Sequence, residues 1–548
     1  MSSRNIFKGS LPLEAAPGSP LLNRGSAWRC RLISLALALW VALVTCYCLT
    51  LVIFTAYNDD QSWYIYAAKR MLAGAHISGP EIVDFNPPLI TWFSAIPVMV
   101  AHALRLEPYL ALKLLVLLLI AASTLWCARI LRAAGVVRSA ALLCICVVSV
   151  LSAETYLTCF ELGQREHLVI ILILPYLFSA VCSGKSKLPI GERCALGLAA
   201  GLAVCFKPQQ VFILVSFEIF LALWNRSLRH LISAEFVCAV QAVVAYIISV
   251  RLFAPLYLSH TVPLARETYW AFGPASTWTL IKSQPVFDLL FLAALIIFLW
   301  KRRGFAFPIA PAGLLTCTLA ASIAFYVQHV GATEAVACRT YPQHAFLLLT
   351  IVWIATDLFL PHDWTFSAGF AATTTVAALV LLPAFLIVGG MFAKAEPAVR
   401  KFPDTVLAQC HPGTPVYLFS PSPWVFPIVL QRHLQLASRS PGLWMLPAIV
   451  QDQLAEAGGP PPGKLLTPET VSQLADLQRA EATEDFQRWK PELVIVQQCS
   501  TAQPCQGMAG IDFDPVVWFL HSQDFAAEWS NYRLQIHHDN FDVYTRIH

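Results

Sequence analysis

The sequence predicts an α-helical polytopic membrane protein of about eleven transmembrane helices, with juxtamembrane helices at its outer face and a C-terminal mixed α/β soluble domain. Three observations carry this class. Of the 548 residues, 57% are hydrophobic and only 13% are charged, where an ordinary soluble domain carries roughly 25% charged residues; the mean hydropathy is +0.61. Apolar runs of spanning length recur through residues 33–393, separated by short loops. Residues 394–548 revert to ordinary composition, 17% charged with a net charge of −5, while residues 1–393 are 11% charged with a net charge of +9. A chain so poor in charge cannot clothe a soluble surface. That excludes a cytosolic enzyme, a secreted disulfide scaffold and a disordered chain. The bases form no run or stripe, so a nucleic-acid partner is not expected.

Residues 1–32 read as a cytoplasmic N-terminal tail. Arg24, Arg29 and Arg31 precede the apolar run Ile33–Ala56, which is too long for the core of a cleaved signal peptide. Further runs lie near 108–128, 139–160, 168–182, 194–206, 208–224, 231–253, 279–300, 306–327, 342–360 and 366–391. Lys207-Pro208 divides 194–224 into two helices, because a proline removes a helical donor and bars the residue before it from the α region. Alternating sides from a cytoplasmic start puts Arg129/Arg132/Arg138, Lys185/Lys187/Arg193, Arg226/Arg229 and Lys301/Arg302/Arg303 inside, as the positive-inside rule requires. The remaining inner loop, Pro361–Trp364, carries no Lys or Arg. The alternation holds only if Pro87–Leu104, also apolar, lies in or re-enters the outer interface. The transmembrane domain then covers 33–393, with 57–107 as its first outer loop. An odd number of spans leaves 394–548 on the outer side.

In that tail, Pro415–Phe419 and Leu493–Gln497 read as buried strands, Thr467–Lys490 as a helix and Tyr532–Arg546 as a terminal strand pair. Thirteen of the sixteen cysteines lie in the membrane half, where they act as small hydrophobes. The spacing C-S-T-A-Q-P-C makes Cys499–Cys505 a plausible disulfide in an outer domain.

Polar residues gather in the outer loops. The sharpest local signal is Tyr57–Gly74, Y-N-D-D-Q-S-W-Y-I-Y-A-A-K-R-M-L-A-G. Asn58 and Gln61 read as a capping pair, with Asp59 and Asp60 in a first helical turn whose dipole favours a carboxylate. Asp60, Tyr64 and Ala68 share one face. The competing reading has both aspartates only capping the helix and Trp63, Tyr64 and Tyr66 in an interfacial aromatic belt.

The pattern D-x-x-x-Y-x-x-A (Asp60, Tyr64, Ala67), the stop at Gly74 and Asn86-Pro87-Pro88-Leu89-Ile90-Thr91-Trp92 resemble the GT-C membrane glycosyltransferases. The branch they look most like is the aminoarabinose transferase and protein O-mannosyltransferase group. Later features follow in a similar order: Glu166 at an outer helix end, the Lys207 break, then Gln328, Gly331, Tyr341 and Pro342. The resemblance implies a bacterial inner-membrane enzyme with its outer domain in the periplasm. It would move a sugar from a polyprenyl-phosphate donor to a glycan, lipid or protein acceptor. No cofactor is implied beyond that lipid-linked substrate, no metal ligands are assigned, and a divalent metal is not excluded.

Carried over residue by residue, the resemblance makes Asp60 the candidate base, with Asp59 second. Lys207, Arg165, Arg266 and Arg339 are the candidate phosphate cations, and Tyr64 and Asn86 further substrate contacts. Glu166 and His167 would pair with Arg165 or orient the acceptor. His167 has no second His or Cys at ligand spacing nearby, which argues against it as a metal ligand. One departure stands out. Asn86 occupies a position where the aminoarabinose-transferase branch usually has Lys. Two other classes compete: a transporter or flippase of a lipid-linked sugar, marked by midplane charges in two matched halves, and a non-catalytic envelope assembly protein.

Overall fold

The structure is a computed structural model that describes residues 20–54, 58–155, 162–183, 188–272, 282, 284–329, 337–360, 369–394, 398–421, 423, 426–459, 464, 466–505, 507–508 and 510–547. Of the positions named above, Ala56, Tyr57, Lys185, Lys187, Gly331 and the 361–364 loop lie outside these residues. Helix α1 (Pro20–Phe54) begins within the segment predicted as an N-terminal tail. Two helices follow in the first loop, α2 (Asp59–Leu72) and α3 (Pro88–Leu104). Then come α4 (Pro108–Ala133), α5 (Ala140–Glu154), α6 (Arg165–Val181), α7 (Ile190–Phe206), α8 (Val211–Trp224), α9 (Ala234–Phe253) and the short α10 (Val262–Thr268). The apolar series ends with α11 (Pro285–Lys301), α12 (Ile309–His329), α13 (Ala337–Phe359) and α14 (Phe370–Lys394).

Each of the eleven expected spans contains a helix, and the helices differ in length. Among the described residues, six helices are long and apolar enough to cross a membrane: those of α1, α4, α9, α12, α13 and α14. The other five have 14–17 residues, about 21–26 Å at 1.5 Å per residue, short of a ~30 Å hydrocarbon core. Position in the bundle explains part of the difference. Nearly every residue of α6 is buried, so its length is set by protein neighbours rather than by lipid. Helices α7 and α8 are parted by the turn at Lys207-Pro208, where Lys207 is extended (φ −144°, ψ 93°).

Small residues allow the closest helix pair. On α7, a Cβ at Gly197 would overlap the Glu235 carbonyl of α9, and one at Gly201 would overlap that of Ala239. This G-x-x-x-G approach is the usual device for bringing membrane helices into backbone contact. Helices α1 and α14 run parallel: the Cys46 thiol donates to the Ala378 carbonyl (3.4 Å), and further along Gly389 lies against Thr50 and Phe54. Both therefore leave the bundle at the same end. The first loop and the C-terminal segment share that end, as an odd number of crossings requires. Elsewhere, loop bases predicted to lie inside pair with acids on neighbouring helices, in Arg129–Glu192 (2.8 Å) and Arg193–Glu235 (2.6 Å).

The C-terminal segment is built on one mixed five-stranded sheet. Its strands are β1 (Pro415–Phe419), β2 (Gln435–Leu436), β3 (Leu493–Gln497), β4 (Tyr532–His538) and β5 (Phe541–Arg546), in the order β2-β1-β3-β5-β4. Strand β1 pairs parallel with β2 and β3, and β5 pairs antiparallel with β3 and β4. Both central strands are buried on both faces, which is why they read as unbroken apolar runs. Val416, Leu418 and Ile495 join the core shared with α2. Tyr417, Phe419, Val494 and Val496 pack on the opposite layer. Helix α15 (Ala398–Leu407) leads into the segment, and α16 (Phe426–Gln431), α17 (Leu446–Glu456), α18 (Pro468–Trp489), α19 (Pro515–Phe519) and α20 (Gln523–Trp529) cover it. A disulfide joins Cys499 to Cys505.

Candidate active site

The site is built on the N-terminus of α2. Asn58 caps the helix by accepting from the Asp60 amide (2.9 Å), which leaves the Asp59 and Asp60 side chains in the first turn. Gln61 does not complete the expected capping pair. It is fully buried, donating to the Leu162 carbonyl and accepting from the Tyr109 hydroxyl (2.9 Å). The aromatic-belt reading is also set aside by geometry. Trp63 and Tyr64 are each 1% exposed, and Trp63 and Tyr66 pack edge-on against Phe426 of the C-terminal segment.

The start of α6 faces this turn. Gln164, the residue before the helix, donates to Asp60 Oδ2 (3.2 Å) and to Asn58 Oδ1 (3.1 Å). Arg165 Nη2 lies 3.7 Å from Asp60 Oδ2. That distance is beyond a hydrogen bond, so the attraction is Coulombic and the carboxylate keeps room for another donor. The same guanidinium donates to Asn86 Oδ1 and lies over the Tyr64 ring, 5.9 Å from its centroid. Burial holds the Tyr64 phenol well above its usual pKa, with Arg165 opposing, so Tyr64 stays protonated. Asp60 is 37% exposed and Arg165 12% exposed at their side chains. The acid is open to a substrate; the base is enclosed.

The next residue along, Glu166, pairs with Lys207 at 3.0 Å, and both are almost wholly buried. Lys207 reaches this place because the helix break frees it at the end of α7. His167 takes a different part from the one expected. Its Nδ1 accepts from the Gly163 amide (2.9 Å) and its Nε2 faces the Glu154 carbonyl (2.7 Å). With both nitrogens bonded to backbone, it braces the turn before α6. Arg266 is exposed on α10, and Arg339 is half-buried in the first turn of α13. Among the described residues, no contact joins either of them to the Asp60 cluster.

The cluster includes an acid not singled out from the sequence. Asp84 is 1% exposed. Its Oδ1 accepts from the Asn86 amide (2.9 Å) and side chain (2.7 Å), an Asx turn leading into Pro87. Burial is the largest influence on its carboxyl and raises the pKa to about 6; the Asn86 amide, Arg165 and the Trp63 side chain work against that rise, and Asp60 adds to it. The signal for this residue was D-x-N-P itself, a local turn motif rather than an isolated loop acid.

No group of three or more His, Cys, Asp or Glu residues able to hold a metal occurs among the described residues. The arrangement is a partly open carboxylate flanked by an enclosed guanidinium, a buried Lys–Glu pair and a protonated phenol, at one end of an apolar helical bundle. This combination suits an anionic headgroup whose hydrocarbon stays in the membrane.

No family model and no curated protein matches the chain. Its fold does match solved structures. ArnT from Cupriavidus metallidurans bound to undecaprenyl phosphate aligns over 92% of this chain and 97% of its own, with a TM-score of 0.52 at 12% identity. The same protein in the apo state aligns over 95% and 98%, with a TM-score of 0.52 at 14% identity. At these identities the likeness is one of fold, and it agrees with the GT-C resemblance seen in the first loop.

Proposed function

We propose that this protein is a bacterial inner-membrane GT-C glycosyltransferase with a polyprenyl-phosphate sugar as donor. In this reading the acceptor is a glycan, lipid or protein on the periplasmic side and Asp60 is the general base. The observation that carries it is the Asp60–Arg165 pair at the end of a bundle whose fold is shared with a protein solved with undecaprenyl phosphate bound. An acceptor hydroxyl attacks the anomeric carbon, the C–O bond to phosphate breaks, and the acceptor proton passes to Asp60. Polyprenyl phosphate departs as a stable anion, so no general acid is required. Arg165 and Lys207 stabilise the charge that gathers on the phosphate. Asp59 is the second-choice base, and Tyr64 and Asn86 support Arg165 from either side.

The transport and assembly readings have less support. The mid-bundle acid Glu218 is engaged by the Tyr176 hydroxyl at 2.6 Å, while the open acid and its cation sit at one end. An assembly protein has no use for a carboxylate held open beside an arginine.

The test is Asp60→Asn in purified protein in nanodiscs, with release of polyprenyl phosphate as the readout. Capping comes from Asn58, so folding should survive. Turnover should fall by roughly 10²–10⁴-fold, the usual scale of a lost base, with donor affinity nearly unchanged. Asp59→Asn should be milder. A folded Asp60→Asn variant within about threefold of wild type would remove Asp60 from the mechanism.

A further inference from the structure

We propose that Asp84, with the Tyr64 hydroxyl and the Trp63 indole, forms a subsite for the sugar of the lipid-linked donor, beside the Asp60–Arg165 pair. The inference rests on the reading above and adds to it the place where the sugar is held.

The starting point is a set of buried polar atoms left over when the site is otherwise complete. Asp84 Oδ2, Tyr64 Oη, Trp63 Nε1, Gln164 Oε1 and Arg165 Nε are all buried with no hydrogen bond formed among the described residues. Such atoms are rare in folded proteins, and each costs free energy until something satisfies it. Of the sixteen such side-chain atoms among the described residues, these five lie on neighbouring elements: the first two turns of α2, the start of α6 and the turn before α3. Asp84 is the most telling of them. One oxygen is fixed by Asn86, which orients the carboxyl; the other makes no full hydrogen bond, and the Trp63 indole, near enough to lower the carboxyl's pKa, is the donor that faces it. Tyr64, Asp60, Arg165, Trp63 and Tyr257 are its charged, titratable or polar neighbours.

The chemistry distinguishes sugar from phosphate. A carboxylate repels a phosphate, whose natural partners here are Arg165 and Lys207. A carboxylate oxygen beside a phenol and an indole instead suits a group that donates hydrogen bonds and carries C–H faces, which describes a pyranose. A sugar hydroxyl, or an ammonium in its place, donates to Asp84 Oδ2. The Tyr64 hydroxyl, which stays protonated, donates to a ring substituent. Through Asn86 and Arg165, Asp84 is also linked to Asp60, so the subsite adjoins the reacting centre.

The experiment measures affinity of the whole protein in nanodiscs for bare undecaprenyl phosphate. It compares this with undecaprenyl phosphate carrying a neutral pentose, a neutral hexose or an amino sugar. Wild type should bind at least one lipid-linked sugar more tightly than the bare lipid. Asp84→Asn, which keeps the acceptor for Asn86, should reduce that affinity by about 10–100-fold, the cost of one charged hydrogen bond, and leave the bare lipid within twofold. Tyr64→Phe keeps the ring beneath Arg165 and should act in the same direction; it keeps the inference testable if Asp84→Asn fails to fold. Equal loss for bare lipid and lipid-linked sugar, or loss for neither, overturns the subsite. A wild type that binds bare lipid but distinguishes no sugar also overturns it and leaves the phosphate reading standing. A wild type that does not bind bare lipid overturns the proposed function itself.

Discussion

Asp60 and Asp84 carry the same side chain on the same loop, and their surroundings give them different properties. Asp60 sits in a helical first turn, capped by Asn58 and partly open. Asp84 is enclosed, with one oxygen bonded and one not. Its carboxyl, raised from 3.8 to about 6, makes stability depend on pH in a definite direction. Between pH 4 and 6 the folded chain keeps a proton that the unfolded chain has released. Stability is therefore lost as pH rises through this window, and the loss, on the order of 3 kcal/mol, is complete above it. Asp84→Asn removes the titration, so its thermal midpoint should exceed that of wild type at pH 7.5 and the gap should close near pH 4. Thermal unfolding in nanodiscs at the two pH values checks this. No gap at pH 7.5 would mean that the carboxyl is not strained. A buried acid kept at such a cost is the usual mark of a functional site.

At the scale of elements, α2 serves two partners. Its first turn holds Asp60 and Tyr64 against α6; its last turn is fastened to the C-terminal segment. Arg70 donates to the carbonyls of Glu81 (2.7 Å), Ser438 (2.7 Å) and Leu436, and lies over the rings of Tyr66 and Trp489 (4.9 Å each). The Leu436 amide donates to the Tyr66 hydroxyl (2.7 Å). Around them, the Val83 amide donates to the Arg439 carbonyl (2.7 Å), and Arg439 is enclosed by Glu481, Glu484 and Asp485. The C-terminal segment is thus a brace for α2 as well as a cover. Arg70→Ala should lower stability by about 1–3 kcal/mol and reduce turnover tenfold or more without touching substrate. Arg70→Lys should not restore either, because a point charge cannot reach three carbonyls. Limited proteolysis should cut the C-terminal segment faster in both variants; an unchanged cleavage rate with wild-type turnover would remove the brace. Little of this was legible beforehand. Asn58, Asp60 and Gly74 mark a helix by local rules, but Arg70 looks like any interfacial base until its carbonyl partners are folded beside it.

At the scale of the whole molecule, the parallel course of α1 and α14 puts the first loop and the C-terminal segment at one end. Positive-inside reasoning assigns that end to the periplasm. Single-cysteine labelling in a cysteine-depleted background should therefore reach Ala75 from outside intact spheroplasts and not Ser227. Outside labelling at Ser227 would reverse the orientation and with it the compartment of the reaction. The same view accounts for the unequal lengths of the expected spans. Hydropathy locates apolar helices well, and each expected segment holds one. It does not report whether a helix faces lipid or protein, and an interior helix such as α6 is free to be shorter than the bilayer.

Composition alone determined the division between an apolar bundle and a water-exposed tail, because burial in lipid and contact with water demand opposite surfaces. Local sequence determined the cap at Asn58, the break at Lys207-Pro208, the strands at 415–419 and 493–497 and the short-range Cys499–Cys505 pairing, since each depends on a few neighbouring residues. Tertiary structure decided which polar residues meet. It brought Arg165 to Asp60 and Asn86, joined Lys207 to Glu166, turned His167 to the backbone and, among the described residues, left Arg266 and Arg339 without a contact to the cluster. It also enclosed Asp84 between Asn86 and the Trp63 indole. These outcomes depend on how α2, α6 and the turn before α3 pack, and hence on contacts between residues far apart in the chain, which no local pattern records.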